Sequence, residues 1–356
     1  MLPKIDPGKQ DDLLMTPEMV SVIIVNYNGK DVLEKCVQSV FHSSYSPLEV
    51  IIVDNSPNDG SADEILQRLS VTLIRNKRNL GFARGNNQGL KEAKGEYILL
   101  LNNDATLHPK AIEELVKESK DSQCQILQPK ILMADNHSVI NSTGISIHLA
   151  GFPVLIGCGE RDAQYTFSTD ICAPHGACFL ASKTVLNEIG LFDEQFVAFN
   201  EDTDFGWRAL LMKKNIKFVP SAIVYHKWGH TYNQGQIATK IHLAERNRLI
   251  MILTNYQRRT IVLLLPLFIL AECSTIAYCV FQGIAGSKIK GYADLMQSRN
   301  YLAKRRRWIQ SVRKTNDGNI VKTFTLEYTH TTIGRPNKTV NMLFHILGDF
   351  SRRFIR

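Results

Sequence analysis

The chain has 356 residues, 44% of them hydrophobic, and carries 42 Lys and Arg against 34 Asp and Glu for a formal net charge of +8. That length and apolar content exclude wholesale disorder and admit one large domain, or a domain with an appendage, while the charge favours anionic partners: phosphates, nucleic acid or an acidic membrane face. The seven Cys form no C-x-x-C pair, which argues against structural zinc and reads as reduced, buried thiols of an intracellular protein.

In chain order, residues 1–19 read as a polar leader without the apolar centre of a secretory signal, so the sequons at Asn141 and Asn337 carry little weight. "VSVIIVNYN" (20–28) is a near-continuous β-branched run, expected of a strand buried on both faces. Residues 29–44 follow at helical spacing through Leu33, Cys36, Val37, Val40 and Phe41. "LEVIIVDNSPNDGS" (48–61) is a second buried strand ending in polar residues, and a short helix near 61–69 leads to "VTLIRN" (71–76). A helix at 85–93 and the strand "EYILLLNND" (96–104) come next, then a helix over 108–120. This alternation predicts a largely parallel sheet with helices on its faces. Residues 124–182 read as hairpins and loops, 201–215 as a helix, 216–226 as extended and 236–256 as a helix.

Ligands of an open parallel sheet bind beyond the carboxyl ends of its strands. Three such ends here are polar: Asn26-Tyr27-Asn28, Asp54-Asn55-Ser56 and Asn102-Asn103-Asp104. One alone is an ordinary turn; three on one edge suggest a site. Neither the dinucleotide glycine fingerprint nor the Walker pattern is present. A carboxylate at a strand end can instead hold a divalent cation that bridges a diphosphate, which makes Asp104 the candidate and Mg²⁺ or Mn²⁺ the expected ion; Asn102 could add an amide oxygen or a phosphate contact. In "NLGFARGNNQGL" (79–90), Arg84 suits phosphate, and Gly81 and Gly85 permit close backbone approach; a plain helix entry is the alternative. "FNEDTDFGWRAL" (199–210) opens a helix with Glu201, Asp202 and Asp204, either to complement the helix dipole or to supply a general base. Asp202 and Asp204 diverge on a helix and so have different roles. His226 is a further candidate ligand, ahead of His230.

With these stretches assembled, the chain resembles family 2 glycosyltransferases of the GT-A fold, in the branch with rhamnosyl- and galactofuranosyltransferases. The resemblance rests on "VSVIIVNYNG", "VIIVDNSPNDGS", "NLGFARGNNQGL", "GEYILLLNNDA", "GACFLASKTVLNEIGLFDEQF", "NEDTDFGWRAL" and "VYHKWGH", in the family's order over roughly 20–256. It implies a Rossmann-like α/β domain and inverting transfer of a sugar from a nucleotide-diphosphate donor to a glycan or lipid-linked acceptor. On the resemblance, Asp54 contacts the base or ribose, and Asn26, Asn28, Arg84, Asn86, Asn102 and Asn103 line the donor site. Asp104 and His226 hold the cation. Asn102 stands where the family often has the first acid of Asp-x-Asp. Asp202 is the base, with Glu201 second, and Asp204 and Trp207 lie on the acceptor side, Asp204 orienting the acceptor or bracing the loop.

Residues 257–356 are expected as a helical, membrane-associating region. The run 261–286 has Glu272 as its single charge and basic residues on both flanks, which argues against a simple span and for a re-entrant or in-plane element; a buried helix pair is the alternative. The basic block of Arg299, Lys304, Arg305, Arg306, Arg307, Arg313 and Lys314 then reads as a hold on anionic lipid, which places the protein at the cytoplasmic face of the membrane. Rival readings are a non-catalytic sugar-nucleotide or glycan binder, a metal-dependent nucleotidyltransferase and a nucleic-acid binder. The last is disfavoured because only Tyr301 and Trp308 interleave with the charges.

Overall fold

The computed structural model describes residues 18–56, 58–227, 237–328 and 338–355; the leader through residue 17, His230 and Asn337 lie outside the described residues. The strands are β1 (Val20–Asn26), β2 (Leu48–Asp54), β3 (Thr72–Arg75), β4 (Tyr97–Asn102), β5 (Ala105–Leu107), β6 (Ile126–Met133), β7 (Asn136–Ser142), β8 (Ile145–Ile147), β9 (Pro153–Leu155), β10 (Thr169–Asp170), β11 (Cys178–Ser182) and β12 (Lys217–His226). The sheet domain's helices are α1 (Leu33–Phe41), α2 (Ser61–Leu66), α3 (Phe82–Glu92), α4 (Ala111–Ser122), α5 (Lys183–Ile189) and α6 (Glu201–Leu211). Beyond the sheet come α7 (Ile237–Asn255), α8 (Arg258–Leu263), α9 (Leu265–Phe281), α10 (Ala285–Gln297), α11 (Arg299–Val312), α12 (Asp317–Ile320) and α13 (Lys338–Arg352).

A ten-stranded mixed sheet runs β10-β12-β6-β11-β4-β1-β2-β3, with β5 on β12 and β7 on β6. β3, β2, β1 and β4 are mutually parallel, β6 and β12 pair in parallel, and β11 runs against both β4 and β6. Residues 124–182 thus supply two central strands, β6 and β11, where the sequence suggested hairpins and loops. Their apolar runs are short, and only the sheet on either side makes them core strands. Alternate β1 residues feed two cores: Val22 and Ile24 pack with α1 and α4, Ile23 with α3, α5 and α6. That two-sided burial is why β1, β2 and β4 read as unbroken apolar runs. Register aligns Asn26 with Asp54 and Val25 with Asn102, so the polar strand ends meet on one edge.

A third core joins α6 and α7 to the C-terminal helices through Trp207, Tyr256, Phe268, Phe324 and Phe344. Behind it, Arg248 pairs with Glu245 (2.9 Å) and Glu272, while Lys288 pairs with Glu245 and with Glu272 (3.0 Å). Glu272 is therefore matched inside the protein, which explains a carboxylate in an apolar run. No helix among the described residues is long and apolar enough to cross a membrane.

The basic block departs from expectation. Arg305 is buried against Asp204 and Asp193 (2.9 Å to the latter), and Arg306 donates to the carbonyls of Leu253 and Tyr256. Arg313 pairs with Asp317 at 2.9 Å and Lys314 with Glu188 at 2.8 Å. Arg305 and Lys314 tie this segment to the sheet domain and Arg306 and Arg313 tie it to the neighbouring helices, so these four have protein partners, while Arg299, Lys304 and Arg307 are exposed. All seven Cys are free thiols and six are buried; Cys273 is exposed, against the expectation for it.

Candidate functional site

A cleft of about 660 Å³ opens over the carboxyl edge of the sheet and is lined by Tyr27, Asn55, Arg84, Asn102, Asn103, Asp104, Glu201, Asp202 and His226, among others. The strand ends are tied together before any ligand arrives. Asn26 donates to Asp54 Oδ1 (3.1 Å) and Ser61 Oγ (2.9 Å) and accepts from Asn103 (3.2 Å). Asp54 Oδ1 also accepts from the Ser56 amide (3.0 Å), and its Oδ2 lies 3.5 Å from Arg75 Nε. Both side chains are buried and line no part of the cleft. Asn26 and Asp54 thus shape the edge, and Asn55 and Asn103 carry it to the surface.

At the end of β4, Asp104 Oδ1 is buried without a hydrogen-bond partner and lies 3.2 Å from His226 Nε2. His226 reaches that place at the carboxyl end of β12, where its backbone pairs with Ala105. Its Nδ1 lies 2.9 Å from Asn141 Oδ1, an acceptor, so Nδ1 carries the proton and Nε2 turns a lone pair toward Asp104. A carboxylate oxygen and an imidazole lone pair facing each other are a ready cation site, with Asn141 as the group that orients the ligand. Among the described residues no cluster of three or more His, Cys, Asp or Glu could hold a metal. A two-ligand site suits Mg²⁺ or Mn²⁺, which keep water and phosphate oxygens as their other ligands. His175 stands beside His226, ring centroids 6.1 Å apart, and burial pushes its pKa down to about 3. It is a neutral wall of the site.

Opposite, a strained loop delivers the acids. Val197, Phe199 and Asn200 have φ of 63°, 67° and 64°, and the Ala198 amide closes a tight turn onto the Phe196 carbonyl at 2.6 Å. Positive φ in a β-branched residue is costly and has to be held by its surroundings. Asn247 on α7 does so: its amide nitrogen lies 2.9, 3.0 and 2.8 Å from the carbonyls of Phe196, Ala198 and Phe199. Asn200 donates to the Ala244 carbonyl at 2.9 Å. Gly81 (φ 88°) backs the loop, where any Cβ would meet the Val197 carbonyl oxygen at 2.8 Å.

The loop ends in Glu201 and Asp202. Asp202 accepts from the Gly176 amide at 2.8 Å and from the Thr203 amide at 2.6 Å. Burial raises its pKa in spite of those donors. Glu201 is raised well above the carboxylate range, first by burial and then by the Asp202 charge, and its Oε2 is buried without a partner. Two adjacent carboxyls with elevated proton affinity facing a cleft are general-base candidates.

Besides Asn26 and Asp54, four further expected site residues lie outside the cleft. Asp204 is fully buried: Arg208 binds Oδ2 at 2.8 Å, and Arg305 and Asn255 bind Oδ1. Burial alone would raise its pKa, but Arg305 and Arg208 outweigh that and hold it low. It braces α6 and does not face an acceptor. Trp207 is equally buried, edge-on to Tyr256 at 4.6 Å and Phe324 at 5.0 Å, on a different face of α6 from Asp202. Asn86 is buried and donates to the Phe82 carbonyl of its own helix at 3.0 Å. Asn28 is exposed in a left-handed turn (φ 54°) and does not line the cleft. Sequence reasoning passed over Asn141, His175, Asn200, Asn247 and the cleft cation Lys240. Asn141 lies at the end of β7 and Asn200 adjoins the acid cluster, but an amide there reads as a turn or cap residue, and His175, Asn247 and Lys240 carry no local signal.

Residues 21–190 match the family described as Glycosyl transferase family 2. The low-salt glycan biosynthesis hexosyltransferase Agl10 of Haloferax volcanii is 26% identical over 239 residues, 64% of this chain and 74% of that one. The poly-beta-1,6-N-acetyl-D-glucosamine synthase of Staphylococcus epidermidis is 23% identical over 214 residues, 58% of this chain and 50% of that one, so the chain spans half the length of that relative. Among solved structures, GalNAc-T7 with UDP, GalNAc and Mn²⁺ superposes with a TM-score of 0.50 at 21% identity, covering 64% of this chain and 48% of that one, a likeness of fold.

Proposed function

We propose that this chain, whose residues 21–190 match Glycosyl transferase family 2, moves a sugar from a nucleotide-diphosphate donor to an acceptor hydroxyl with inversion. The observation that carries the reading is one cleft with Asp104 and His226 at the sheet edge and Glu201 and Asp202 on the opposing loop. Asp202 takes the acceptor proton as the hydroxyl attacks the sugar carbon. Burial raises its proton affinity, which makes it a stronger base than an exposed aspartate. Gly176 and Thr203 fix the carboxylate's direction through their amides. A single base and no covalent intermediate give inversion.

On the donor side, Asn102 and Asn103 present amides, and Arg84, Arg78 and Lys240 bring positive charge to the cleft. Arg84 is only loosely engaged, 3.6 Å from Glu194, and can turn to phosphate. Asp104 and His226 would hold a divalent cation, which supplies charge neutralisation to the departing nucleoside diphosphate. The acceptor is proposed as a glycan or lipid-linked glycan, consistent with the glycan-building relatives.

The test is release of free nucleoside diphosphate from a panel of nucleotide sugars, with Mn²⁺ and with chelator. Asp202→Asn is expected to reduce transfer by about 10²-fold or more while donor affinity, read by calorimetry, stays within a few-fold. Normal turnover by that variant would move the base role to Glu201. Release of pyrophosphate would replace the reading with nucleotidyl transfer.

A further inference from the structure

The C-terminal helices carry a surface that sugar transfer does not use. α9 buries one side through Leu267, Phe268, Ala271 and Cys279. Its other side is apolar too: Val262 (at the end of α8), Leu265, Ile269, Ile276 and Val280 are exposed at three- to four-residue spacing. A helix that is apolar all round has no face for water and belongs inside a protein or against lipid. α13 packs beside α9 and repeats the pattern. It buries Phe344 and Gly348 and exposes Met342, Ile346 and Phe350, followed by Phe354 just beyond its end.

We propose that α9 and α13 form one in-plane platform that seats the protein on an anionic lipid bilayer. Three observations select lipid over a protein partner. First, apart from the Cys273 thiol the α9 stripe offers no hydrogen-bonding side chain, whereas protein interfaces carry about one hydrogen bond per 100–200 Å². Second, exposed cations flank the platform: Arg258 and Arg259 lie one turn before Val262 and Lys338 one turn before Met342, while Arg353, one turn after Phe350, is paired with Asp349 at 2.7 Å. An apolar surface with cations at the start of both helices matches the boundary between acyl chains and acidic headgroups. Third, α9 has 17 residues, short of the ~20 a crossing needs. The Glu272, Arg248 and Lys288 network fastens α9 and α10 to α7, so α9 lies on the bilayer as part of the folded body. The platform, rather than the basic block, four of whose seven cations have internal partners, is therefore the main lipid-facing element. It stands independently of the transfer chemistry.

The experiment is co-sedimentation of the full chain with vesicles of phosphatidylcholine alone and of phosphatidylcholine with phosphatidylglycerol. Binding to the mixed vesicles, weakened by added salt, is expected. The double variant Ile269→Glu with Ile346→Glu should lower partitioning on the order of tenfold or more. Both positions are exposed, so its melting curve and donor binding should match wild type. An environment-sensitive fluorophore on Cys273 should shift to the blue with mixed vesicles. The proposal is overturned if wild type stays in the supernatant, or if the double variant binds as well as wild type. It is also overturned if wild type sediments as a dimer that the double variant dissolves, because a second copy of the chain would then cover the stripe.

Discussion

Glu201 and Asp202 are neighbours in the chain with unequal support. Asp202 is held by two backbone amides and the Thr203 hydroxyl, while Glu201 Oε2 has no partner. Both bind their protons more tightly than usual, Glu201 the more so, because burial opposes their charge. A carboxyl whose folded pKa lies above its unfolded value of about 4.3 contributes most to stability when protonated, and that contribution is lost as pH rises through the folded pKa. Glu201→Gln is therefore expected to raise the melting temperature at neutral pH and to leave it near wild type at acid pH, read by scanning calorimetry. Its transfer rate should fall about tenfold or less, as for a carboxylate beside the base. For Asp202 the acid limb of kcat/KM should lie above the ordinary aspartate value of about 3.9. The acid cluster 201–204 was legible in sequence as chemistry, but its division of labour was not. Asp204 is two residues from Asp202 and faces the other way, into Arg208 and Arg305.

At the scale of elements, the loop from Phe196 to Asn200 holds three non-glycine residues at positive φ and is tied down from a separate helix. Such strain persists only when other contacts determine it. Removing the Asn247 amide should cost about 1–3 kcal/mol through unpaired carbonyls. Asn247→Ala should also lower kcat while the donor KM stays within a few-fold, since the loop carries the proposed base and the other wall the proposed cation site; equal losses in both constants would make the residue a general structural one. Asp204 performs the matching task for α6. It joins that helix to α11 through Arg305 and to α7 through Asn255. Asp204→Asn leaves two buried guanidiniums under-compensated and should cost about 3–5 kcal/mol in urea unfolding.

Over the whole molecule, the catalytic edge and the C-terminal helices form one mechanical unit. Trp207 packs into the core shared with Tyr256 and Phe324, and Arg305 reaches from α11 to α6. The sequence by itself determined the parallel half of the sheet and its polar edge. A strand buried on both faces must be apolar throughout, and the first residues beyond it must turn and meet water or ligand. It also singled out Asp104, Asp202 and His226 as candidates, because they are polar where the surrounding pattern is apolar, and the structure brings all three to one cleft. Only the tertiary structure decided how these groups are used. The pairing of Asp104 with His226 joins residues 122 positions apart, and its orienting partner Asn141 comes from a third strand. The same holds for the basic block and for the apolar run. A run of arginines reads alike whether it meets lipid or buried aspartates. An apolar helix reads alike whether one side or both are covered. Charge and hydropathy are local quantities, whereas a partner 50 or 100 residues away is fixed by how the chain packs.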